Sequence, residues 1–66
     1  MTVDDVQKRL AVIQTLKGDP EAAHAEEDAL WLDVLKWIAD NGAEPQKSVC
    51  ELAITSCRIR FSRWYA

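Results

Sequence analysis

The chain has 66 residues, 48% of them hydrophobic, with 11 acids against 8 bases and a formal net charge of −3. That length allows one domain, and the hydrophobic share excludes a disordered chain. The acidic balance argues against general nucleic-acid binding, which rests on neutralising phosphates, and no apolar run reaches the roughly 20 residues a membrane helix needs.

Thr2 and Asp5 make a capping-box pattern, with Asp in the usual Glu position, that predicts a helix over about residues 3–17. Val3, Val6, Leu10, Ile13 and Leu16 form its apolar stripe, and Asp4, Lys8 and Thr15 its far side. Gly18 is the expected stop. The link that follows is short enough to predict an antiparallel helix hairpin.

The second helix is expected over 20–40, with Asp19 as N-cap, Pro20 at the first helical position and Gly42 just past its end. Leu30, Trp31, Val34, Leu35, Trp37 and Ile38 recur at three- and four-residue steps. In the first half of this helix His24, Glu27 and Asp28 share the face that Trp31, Leu35 and Ile38 occupy later. Residues 41–45 make the second break, and a third helix is expected over 46–57, with Val49, Leu52, Ala53 and Ser56 inward and Lys47 and Glu51 outward. In the tail, 58–66, Ile59 and Phe61 alternate with Arg58 and Arg60, an extended pattern, and Ser62 is placed to cap a last turn holding Trp64. The expected fold class is all-α: a three-helix bundle with the short C-terminal tail packed back on the second helix.

Charge divides along the chain. Residues 1–44 carry ten acids and four bases, and residues 45–66 carry one acid and four bases. This predicts that the basic tail docks on the acidic half. Glu27 falls inside the apolar arc of the second helix, where an unpaired carboxylate costs about 3–5 kcal/mol. Arg58, Arg60, Arg63 and the indole N–H of Trp64 are the donors on the other half of the chain. The expectation is a polar latch of His24, Glu27 and Asp28 with those residues.

Two further chemistries fit the same residues. His24, Glu27 and Asp28 lie at helical neighbour spacing and form a candidate metal or ligand set, although one helix supplies only three ligands and the chain has no second His. The three tail arginines, interleaved with Phe61, Trp64 and Tyr65, form a candidate single-strand nucleic-acid surface, opposed by the acidic half. Cys50 and Cys57 sit about 10 Å apart on one helix, too far for a disulfide. They are expected as free core thiols in a reducing, cytoplasmic setting. With one His and no converging nucleophile, no enzyme and no cofactor is expected. Trp31 and Trp37 point to different edges of the apolar face, and an indole left at the rim, or Tyr65 in the tail, would mark a partner surface.

The run Ala23-His-Ala-Glu-Glu-Asp-Ala-Leu30, followed by Val34-Leu and Ile38-Ala, resembles a group of small uncharacterised helical proteins of actinobacteria and their bacteriophages. The ending Ile59-Arg-Phe-Ser-Arg-Trp-Tyr-Ala66 is similar to that group's closing pattern. The resemblance implies a phage or prophage setting and carries no established activity. The expected role is a small non-enzymatic interaction protein with a protein partner, self-association into a homodimer being one way to enlarge so small a core.

Overall fold

The computed structural model describes residues 1–61. The protein is all-α: α1 spans Val3–Thr15, α2 Pro20–Asn41 and α3 Gln46–Ile54, and a 3₁₀ turn follows over Thr55–Arg58. No described residue lies in a strand.

Both ends of α1 and α2 and the end of α3 have a local cause. At the start of α1, the Thr2 N–H donates to Asp5 Oδ2 at 2.8 Å and the Asp5 N–H donates to Thr2 Oγ1 at 3.1 Å, completing the capping box. The Ala22 N–H donates to Asp19 Oδ1 at the start of α2, and Pro20 sits in the first turn. Helix α1 stops two residues short of the expected Lys17. The Thr15 hydroxyl donates to the Val12 carbonyl at 2.6 Å, and the Leu16 N–H turns back to Ile13. The same device ends α3: the Thr55 hydroxyl donates to the Leu52 carbonyl at 2.6 Å, and the chain tightens into the 3₁₀ turn that occupies the stretch expected as α-helix to Cys57. Gly42 closes α2 with a negative φ of −78°. A Cβ there would meet the Ile38 carbonyl oxygen at 2.6 Å, so glycine is needed for the close approach and not for a left-handed turn.

Helix α2 is the centre of the molecule. Both α1 and α3 pack on it, and they do not pack on each other. The three helices lie side by side in an open arrangement whose Cα atoms extend 39 × 33 Å across and 11 Å through. A second layer of helices would add about 8–10 Å to that thickness. The buried hydrophobic residues are accordingly few among those described: Leu30 and Ala39 on α2 and Cys50 on α3.

The inward face of α3 differs from the sequence expectation. Cys50 is buried and Ile54 half-buried against α2, while Val49 is 63% and Leu52 74% exposed; Ala53 and Ser56 line the hollow that this side shares with α2. Helix α3 carries two apolar stripes, and nine residues of periodicity do not decide which one α2 takes. Cys57, expected in the core, is exposed in the 3₁₀ turn; both thiols are free. The docking of the tail on α2 falls largely on residues 62–66, which lie outside the described residues.

Candidate functional site

The broad open face of this layer is the candidate site. Along α2 it runs from His24 and Glu27, both half-buried, through Trp31, Val34 and Leu35 to Ile38. Trp31 is 60% exposed and Trp37 42% exposed. On the α1 side, Val6 and Leu10 line two adjoining hollows with Val34. One, of about 480 Å³, is closed by Val3, Trp37 and Ile38. The other, of about 430 Å³, is closed by Leu30, Trp31 and Leu35. Together they make one apolar groove between α1 and α2. Across α2, Asp28, Trp31 and Leu35 also border a third hollow of about 330 Å³, shared with Ala53, Ile54 and Cys57 on the α3 side. Trp31 therefore stands on the ridge between two grooves.

The α1/α2 groove is free of charged side chains: no Asp, Glu, Lys or Arg lines either of its hollows. This follows from the stripe on α1, where Val3, Val6 and Leu10 are joined at the groove by Gln7. In a chain with 29% charged residues, such a patch has the composition of an interface core, where charge is depleted and tryptophan enriched.

The charged residues lie outside it. Arg9 Nη1 and Asp33 Oδ2 meet at 2.6 Å and tie α1 to α2. Both side chains are partly open to water, which limits such a pair to about 1 kcal/mol. The sequence reading missed this pair. Its signal was available, since Arg9 falls between Val6 and Ile13 on the inward side of α1 and Asp33 falls between Leu30 and Trp37 on α2. Lys8–Asp4 and Lys47–Glu51 are exposed pairs within single helices.

The expected polar latch divides into a described and an undescribed part. Asp28 is exposed and lines the α2/α3 hollow. Arg58 and Arg60 are exposed, and among the described residues neither forms an ion pair with Glu27 or Asp28. Arg63, Trp64 and Tyr65 lie outside the described residues. As for the candidate metal set, no group of three or more His, Cys, Asp or Glu among the described residues is placed to hold a metal ion, so His24, Glu27 and Asp28 share a helix face without converging on a point. Among the described residues no helix is long and apolar enough to cross a membrane.

No known protein family, curated protein or solved structure matches the chain.

Proposed function

We propose that this chain is a small non-enzymatic protein–protein interaction protein whose working surface is the open face centred on Trp31 and the α1/α2 groove. The observation that carries this reading is the exposure of Trp31 and Trp37 beside a groove without charged side chains. Large apolar residues gathered in one continuous patch on a small domain mark a surface meant to be covered, and tryptophans are the residues that anchor such contacts. The resemblance of residues 23–30 and 59–66 to small actinobacterial and phage proteins supports a phage-encoded origin, and the free thiols support a cytoplasmic setting. The metal-binding and nucleic-acid alternatives draw less support. The first lacks converging ligands among the described residues, and the second sets few bases against an acidic chain.

The test is the accessibility of Trp31 in a chain carrying Trp37→Phe and Trp64→Phe, read by acrylamide quenching of the remaining indole. An interaction surface gives full quenching in the monomer and protection only when a partner occupies the face. A monomer whose Trp31 is already protected has covered the face with its own chain, and the reading fails.

A further inference from the structure

Resting on that reading, we infer that the occupant of the α1/α2 groove is a second copy of this chain, joined across a two-fold axis so that the α1–α2 hairpins of the two copies close into a four-helix core.

The first argument is thickness. Helical domains close their cores by packing helices in at least two layers or around a common axis. The Cα trace of this molecule is 11 Å through, its α1 and α3 do not pack on each other, and its buried hydrophobic residues among those described are Leu30, Ala39 and Cys50. One layer has a small inside. Two copies laid groove to groove make two layers, and Val6, Leu10, Trp31 and Val34 acquire neighbours on their open side.

Exposure is the second argument. Val3, Leu10, Trp31 and Trp37 line the groove and are 75%, 52%, 60% and 42% exposed, so the patch offers large apolar side chains for a facing copy to cover.

Composition is the third. Residues 1–44 are strongly acidic, so two copies repel unless their charges are kept out of the contact. The groove meets that condition, since no acidic or basic side chain lines it. An isologous contact places the same patch on both sides, and an apolar patch without charged side chains is complementary to itself.

The experiment is molar mass by light scattering after size exclusion, over a wide concentration range, with the wild-type chain and two variants. Leu10 lines the groove and is 52% exposed in the monomer. Val12 is comparably exposed on α1 but does not line it. The expected wild-type mass is twice that of the chain. Leu10→Glu weakens association at least tenfold, either giving the single-chain mass or losing helical circular dichroism because folding needs the partner. Val12→Glu keeps the wild-type mass and helicity. A wild-type chain that stays monomeric and helical at every concentration overturns the homodimer. The quenching measurement then separates the two ideas: an accessible Trp31 leaves the interaction reading standing with a different partner, and a protected one removes both. A wild-type dimer unaffected by Leu10→Glu also overturns the inference, because self-association would then use another face.

Discussion

Thr2 and Asp5 show how much a short polar pattern can specify. The bond from the Thr2 backbone N–H, followed by the Thr2 side-chain bond, holds the Asp5 carboxyl below its ordinary value of 3.8. A lowered value means that folding favours the ionised carboxylate. The stabilisation is therefore complete above 3.8 and is lost as the pH falls through the lowered value. Asp5→Ala is expected to lower the melting temperature by a few degrees at neutral pH, and the gap to wild type should narrow on acidification below 3.8. Thermal melts by circular dichroism across that range check this, and a gap that stays constant would mean that the carboxylate plays no part. Both partners could be read from the sequence because a capping box is local, needing only residues three apart. Gly42 was legible in the same way as a helix stop, yet its physical reason was not. Its φ is negative, and the constraint is the Ile38 carbonyl 2.6 Å from where a Cβ would stand.

At the scale of elements, helix existence was legible and helix facing was only partly so. Helices α1 and α2 begin at or within a residue of a signal written in the chain, Thr2 and Asp19, and α3 begins directly after the break over residues 41–45. The ends of α1 and α3 came earlier than expected because Thr15 and Thr55 turn their hydroxyls onto carbonyls of the preceding turn, a competition that apolar periodicity does not register. The candidate site was legible in Trp31 and Trp37, which the sequence placed at the edges of the α2 stripe. The groove was not, because it depends on α1 covering one flank of α2 and leaving Leu10 and Val34 open. Helix α3 gives the clearest test of facing. Cys50 is buried against α2, whereas Cys57 sits exposed in the 3₁₀ turn. One thiol per chain is expected to react at once with a colorimetric disulfide reagent and the second only in denaturant. Two fast thiols in the native protein would mean that α3 does not pack on α2 as described, and a Cys57→Ser variant identifies which thiol is which.

The whole molecule turns on how a single layer of helices, its Cα atoms within 11 Å, remains folded. A helix is held in place mainly by burying its apolar face, and isolated helices of 9 to 22 residues, the lengths of α1 to α3, gain little from propensity alone. If the second layer is another copy, folding and association are one equilibrium, and stability depends on chain concentration by mass action. The size of that dependence can be estimated. At about 0.7 kcal/mol of unfolding enthalpy per residue, two chains together unfold with roughly 90 kcal/mol. Each tenfold rise in concentration should then raise the melting temperature by about 5 °C. A monomer, or a chain stabilised by its own tail, melts at one temperature whatever the concentration. Melts at three or more concentrations spanning two decades separate these cases without labels or variants. A flat melting temperature would show that the layer holds itself together, and a slope near the estimate would make the open face the interior of the functional protein.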